Sequence, residues 1–66
     1  MIGDKYSLVG TNTIFEITGE TPSYWEMKIY DKGTPANAQL GVLMTKRALL
    51  DSISDTPIIK KTLTKL

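Results

Sequence analysis

Residues 24–30 alternate strictly between apolar and polar positions, with Trp25, Met27 and Ile29 on one side of the alternation. A period of two is typical of a β-strand that buries one of its faces. Aromatic and β-branched residues, which pack well on a pleated surface, make up much of this run. The pattern predicts a half-buried strand, and we expect its Trp25, the only tryptophan, to anchor the core rather than to lie exposed as a binding residue.

Three further short runs have a similar character, at residues 5–9, 14–18 and 39–44. Sequences rich in Gly, Thr, Asn, Ser and Asp separate the runs, and a loop containing Pro35 precedes the last one. Short strands about ten residues apart with polar turns between them predict an antiparallel meander. Within the last run, Gly41 is a candidate position for a β-bulge.

The period changes at Thr45, which is a good N-cap for a short helix over residues 46–53. Leu49, Leu50 and Ile53 fall on one face of such a helix.

Residues 58–66 fit two structures. Thr56 and Pro57 form a helix-start signature, and Ile59, Leu63 and Leu66 have helical spacing. The alternation from Thr62 to Leu66 and the many β-forming residues favour a strand instead. We expect a closing strand.

The composition excludes several classes of chemistry. A chain of 66 residues is one domain, here residues 1–66. It has no Cys and no His, which excludes disulfides, thiolate metal sites, zinc fingers and Ser-His or Cys-His catalysis. Its acidic residues form no recognisable catalytic pair, and it has no glycine-rich phosphate loop. We therefore expect no enzyme, no catalytic residues, no metal and no cofactor.

The sequence also predicts a location. The N-terminus lacks a basic segment followed by an apolar run, so no signal peptide is expected. No apolar run is long enough to span a membrane. The absence of disulfide staples in so small a domain favours a reducing compartment, and we expect a cytoplasmic protein that does not associate with membranes.

Seven residues are candidates for contact with a partner. Tyr24, Lys28 and Tyr30 lie on the polar side of the 24–30 strand, where two rings flank a base. Such a group suits a protein contact or base stacking with a phosphate contact, although a twisted sheet could also cover one ring. The basic residues near the C-terminus could converge into a second patch; these are Lys46, Arg47, Lys60 and Lys61.

Parts of the sequence resemble a known family. The segments that carry this resemblance are Gly3-Asp4-Lys5-Tyr6, residues 14–18, and Met44-Thr45-Lys46 through Ile53. They resemble short SH3-like-barrel proteins encoded by phages and other mobile elements of Gram-positive bacteria. The chain departs from these proteins where Lys46-Arg47-Ala48 replaces their acidic helix. The resemblance implies a fold and a genomic context, and no catalytic residue.

The sequence thus predicts a mainly β fold, a small SH3-like antiparallel barrel of four to five strands that is partly open, with one short helix near residues 46–53. The first functional hypothesis is a non-enzymatic module that binds a protein partner, as an accessory or inhibitor protein of a phage or mobile element. The second is a weak nucleic-acid-binding barrel that uses Tyr24, Tyr30 and the basic C-terminal patch. The third is a structural subunit of a larger assembly. An unpaired strand edge would also suit a homodimer.

Overall fold

The computed structural model describes residues 1–56, 58 and 60–66 and is mainly β. Its strands are β1 Lys5–Leu8, β2 Thr13–Glu20, β3 Tyr24–Asp31, β4 Leu40–Thr45 and β5 Leu63–Lys65. A 3-10 turn at Ala36–Ala38 precedes β4, and one α-helix, α1 at Lys46–Ile53, follows it. The strands form one antiparallel sheet in the order β4-β3-β2-β1-β5. The meander and the short helix predicted from the sequence are therefore confirmed.

The predicted barrel is not confirmed. β4 and β5 lie at opposite edges of the sheet, and closing a barrel would require its edge strands to pair. The fold remains flat, with Cα extents of 39 × 30 × 15 Å. The described strands therefore form an open sheet, with the helix on one side.

The strands follow the predicted runs, but β2 is longer than expected. It continues through Gly19 to Glu20, and its register with β3 shifts between Ile17 and Gly19. The bulge therefore lies in β2, whereas Gly41 pairs in regular register with Lys28. The β2 irregularity coincides with the close approach of the Glu26 side chain, which occupies the space that a Cβ at Gly19 would need.

The core lies between the sheet and α1. It consists of Tyr6, Ile17, Trp25, Met27, Leu49 and Leu63. The alternation in β3 is confirmed, because Trp25 and Met27 are buried and Ile29 is half-buried on the same side. Trp25 therefore anchors the core, as the sequence predicted.

The helix begins as predicted and buries one of its three apolar residues. The Ala48 amide donates to Oγ1 of Thr45 at 3.0 Å, which is an N-cap hydrogen bond. Of the three apolar residues on one face of the helix, Leu49 is buried, whereas Leu50 is 59% exposed and Ile53 is also exposed. A two-turn helix over an open sheet inserts one side chain and leaves its flanking residues at the rim.

The C-terminal tail ends in a strand. β5 pairs with β1, with Leu63 opposite Leu8, so the closing strand is confirmed at Leu63–Lys65 and no helix is described there. The helix-start signature at Pro57 and the helical position of Ile59 lie outside the described residues.

Candidate functional site

The side of the sheet opposite α1 carries exposed apolar side chains near β4. We call this surface, made of Tyr24, Lys28, Gly41 and Leu43, the outer face. Tyr24 is 42% exposed and Leu43 is 63% exposed. Tyr24 is paired with Thr45 and Glu26 with Leu43, so Tyr24 and Leu43 are diagonal neighbours on adjacent strands, within reach of an aromatic side chain.

A shallow cleft of about 330 Å³ lies beside Leu43. Residues from β2, β3 and β4 line it, namely Thr18, Glu26, Met27, Lys28, Gly41, Val42 and Leu43. Gly41 opens this cleft, because an added Cβ there would meet no described atom within 4 Å. The outer face thus has an apolar side chain next to a depression whose border carries one acid and one base.

Tyr30 lies on the same side of β3 as Tyr24 but at the other end of the strand. Six residues of strand separate the two rings, or about 20 Å. The Tyr30 hydroxyl donates to Oε1 of Glu16 at 2.8 Å, and its ring lies opposite the buried Ile14 in the β2–β3 register. Burial, followed by the hydrogen bond and the charge of Glu16, raises the pKa of Tyr30. Tyr24 is therefore the freer ring, whereas the Tyr30 hydroxyl is held by Glu16.

Lys28 is half-buried in a row of alternating charges. In the strand register it lies beside Glu16, which in turn lies beside Lys5. Neighbouring opposite charges stabilise a sheet modestly. Lys28 therefore has Glu16 on one side and the open cleft at Gly41 on the other.

The structure places Lys46 and Arg47 in the first turn of α1 and Lys60 and Lys61 on the tail that follows it. Lys46 forms an ion pair with Glu20, and its ammonium lies 4.8 Å from the centre of the Trp25 ring. Arg47 is exposed, with its Nε 3.9 Å from Oδ1 of Asp51.

Lys60 and Lys61 are exposed on the tail. The tail meets the helix where the Thr62 amide donates to the Ser52 carbonyl at 2.8 Å. Ser52 lies six residues beyond Lys46, or about 9 Å along the helix axis. The tail therefore passes the last turn of α1 rather than its first.

The open edge of β4 is the feature that sequence reasoning did not locate. The Ser23 carbonyl accepts from the Lys46 amide, and the Tyr24 carbonyl accepts from the Thr21 amide on the β2 side. The backbone N–H and C=O groups of successive residues point to opposite sides of a strand. Those of Trp25 and Met27 therefore point to β4, where they bond with Met44 and Val42 respectively. Gly41 and Leu43 therefore direct their N–H and C=O groups to the open side, where no described strand pairs with them.

A second cleft, of about 380 Å³, separates α1 from the sheet. Its buried lining includes Tyr6, Trp25 and Leu49, with Leu50 and Ile53 at its rim. Its charged lining residues are already paired.

Asp4 accounts for two of these pairs. It contacts the N-terminal amine and lies 3.6 Å from Nζ of Lys65. The hydrogen bond from the N-terminal amine, assisted by Lys65, lowers the pKa of Asp4. Lys46, the remaining charged residue of the cleft, is held by Glu20.

In the part of the chain that the structure describes, no three acidic side chains gather as they would around a metal ion. No helix of the described residues has the length and apolar character needed to cross a membrane. No protein-family model matches the sequence, and comparisons with curated proteins and with solved structures also found no match.

Proposed function

We propose that this protein is a small non-enzymatic interaction module that binds a protein partner through its outer face. The observation that carries the proposal is the exposure of Tyr24 and Leu43 as diagonal neighbours beside an open cleft. Tyrosine is enriched among residues that dominate binding energy at protein interfaces, because it offers a large, rigid and amphipathic contact area. Leu43 adds apolar area, and the cleft at Gly41 would receive one side chain of the partner.

The charges near the outer face would orient the partner rather than add much to its affinity. Lys28 and Glu26 border the cleft with opposite signs. Charges at the rim of an interface chiefly affect association rate and specificity. The module would act by covering a surface of its partner, without turnover.

The resemblance to short SH3-like proteins of phages and mobile elements bears on the biological setting. We propose that the chain is an accessory or inhibitor protein of such an element and acts in the cytoplasm. The strand order β4-β3-β2-β1-β5, with α1 between β4 and β5 in the chain, is compatible with an opened small barrel.

The charge arrangement favours a protein partner over nucleic acid. Two of the four residues of the basic C-terminal patch, Lys46 and Arg47, have acidic neighbours within 4 Å. Nucleic-acid binding draws most of its affinity from unpaired cations that neutralise phosphates. The two tyrosines, about 20 Å apart along β3, do not form a platform for adjacent bases.

The test replaces Tyr24 with the photoreactive residue p-benzoylphenylalanine, which preserves an aromatic ring. Irradiation in a lysate of the source cells should give one covalent adduct with another protein, and Lys28→Glu or Leu43→Ser in the same chain should reduce it severalfold. The same photoreactive residue at Thr64, exposed on β5, should give no such adduct. Equal adducts at both positions would contradict the proposal.

A second measurement separates the nucleic-acid alternative. Anisotropy of labelled single- and double-stranded oligonucleotides is recorded at about 50 and about 200 mM salt. We expect no binding at either concentration. Binding at low salt that falls about tenfold or more at the higher concentration would replace the protein partner with a nucleic acid.

A further inference from the structure

We propose that β4 pairs with β4 of a second copy of this chain, as antiparallel strands related by a two-fold axis, to form a continuous ten-stranded sheet. The proposal concerns the strand edge and goes beyond the outer face, although Leu43 borders both surfaces.

The two edges of the sheet differ in a way that points to β4. β5 has three residues and carries Lys65, and short edge strands with lysine resist pairing with other strands. β4 has six residues, Leu-Gly-Val-Leu-Met-Thr, without a charge or a proline. Leu40 is 69% exposed on this strand. A long, uncharged, apolar edge is a ready template for pairing with another strand.

A second copy suits this edge because β4 is self-complementary. The backbone groups of Gly41 and Leu43 face outward, and a two-fold axis through Val42 pairs Gly41 of each copy with Leu43 of the other. The pairing forms about four backbone hydrogen bonds. It also sets the bulk of Leu43 beside a residue without a side chain, and it brings no two like charges opposite each other within β4.

The same register accounts for the other exposed leucine. Leu40 of each copy faces Met44 of the other copy, on the side of the sheet that carries α1. Val42 faces Val42 of the second copy as a non-hydrogen-bonded pair, in which side chains are closest. Both large exposed side chains of β4 thereby gain a neighbour from the second copy.

The surface area supports an additional contact. The chain exposes 4586 Å², whereas a compact monomer of 7.3 kDa exposes about 4,200 Å². The excess reflects a flat molecule, which is only 15 Å across in its smallest Cα extent. Extension of the sheet by a second copy would cover part of the area that a single copy leaves exposed.

A pair of single-cysteine variants tests the register, since the chain has no cysteine of its own. In the proposed pairing, the two copies of Val42 have Cα atoms about 4.5 Å apart, within the range of a disulfide. The two copies of Leu40 are separated by about four residues of strand, or about 14 Å. Under mild oxidation, Val42→Cys should give a disulfide-linked dimer, and Leu40→Cys, although more exposed, should remain mostly reduced.

Random collision would give the opposite order, because Leu40 is the more accessible position. Equal crosslinking of the two variants, or crosslinking of Leu40→Cys alone, would overturn the proposed register. Absence of any crosslink in both variants would overturn the proposal itself.

Sedimentation tests the assembly without a crosslink. The wild-type chain should approach twice 7.3 kDa as its concentration rises. Leu43→Pro removes an outward amide and no bond to β3, so it should shift the midpoint of dimerisation at least tenfold. Leu43→Val keeps the amide and should dimerise nearly as wild type. If the proline variant fails to fold, Leu43→Lys replaces it in this test, because a charge on an edge strand also opposes pairing.

The outcomes separate this proposal from the proposed function. A monomeric wild type over the whole concentration series overturns the pairing of two copies, whether or not Tyr24 forms its adduct. A dimer that forms normally while the Tyr24 adduct is absent overturns the outer-face proposal alone. Backbone protection of Gly41 and Leu43 in a hydrogen-exchange measurement only after another protein is added would assign the edge to that protein.

Discussion

The ammonium of Lys46 lies over the Trp25 ring, 4.8 Å from its centre, and the same ammonium is paired with Glu20. One side chain thus ties the first residue of α1 to the end of β2 and to the core residue of β3. The contact couples the placement of the helix to the sheet at the rim of the cleft between them.

We expect Lys46→Met to lower the free energy of unfolding by about 1 kcal/mol, because the cation–π contact and a partly exposed ion pair are each worth up to about that much. Methionine keeps the apolar stem over Trp25. Urea unfolding followed by Trp25 fluorescence measures the change. Arg47→Met, which removes an exposed ion pair, is the control and should change stability by less than about 0.5 kcal/mol.

Adjacent leucines of α1 should differ sharply in their contribution to stability. Leu49 is 4% exposed in the core, whereas Leu50 lies at the rim. Leu49→Ala should cost about 2–5 kcal/mol, because it removes buried methyl groups and leaves a cavity. Leu50→Ala should cost less than about 0.5 kcal/mol. Equal losses in denaturant unfolding would mean that the helix packs with both side chains.

The local patterns of the sequence predicted the strands well because they act over a few residues. The alternation around Trp25 specifies a strand with one buried face, whatever lies beyond it. Thr45 specifies the start of α1 through its own hydroxyl. Both features depend on neighbours in the chain and can be recognised without knowledge of the rest of the fold.

The predictions that failed concern features that depend on residues far apart in the chain. Nothing local determines whether β4 and β5 meet, and their separation leaves the sheet open. The exposure of Leu50 depends on how far the sheet extends beneath α1. Ile14 is buried on the side away from the helix, opposite Tyr30, which the alternation within its own strand does not indicate. For the same reason, Leu43 could be placed at an edge of the sheet only once the strand order was known.

The hydrogen bond from Tyr30 to Glu16 predicts a dependence of stability on alkaline pH. Burial and Glu16 raise the pKa of Tyr30 above its usual value of 10.0, so the folded chain binds this proton more tightly than the unfolded chain. The associated stability is fully present below about pH 10 and is lost as the pH rises through the folded pKa. We therefore expect Tyr30→Phe to show a shallower loss of stability above pH 10 than wild type.

Urea unfolding at about pH 8 and about pH 11 measures this difference, on either side of the usual tyrosine pKa. Other groups that titrate in this range are common to both chains and cancel in the comparison. Tyr24→Phe is the control for loss of a tyrosine on the same strand. An identical slope for wild type and Tyr30→Phe would contradict a structural role for this hydroxyl.

Two glycines should respond in opposite directions to the same substitution. Gly33 turns the chain after β3 with φ +88, a conformation that L side chains rarely adopt, so Gly33→Ala should destabilise the fold by about 1 kcal/mol or more. Gly41 lies in a regular strand without a positive φ, and an added Cβ has open space. Gly41→Ala should therefore stabilise the monomer by about 0.5–1 kcal/mol, because alanine loses less backbone entropy on folding. Denaturant midpoints at a single low protein concentration measure both changes, and a loss of stability in Gly41→Ala would show that the open space at β4 is already occupied in solution.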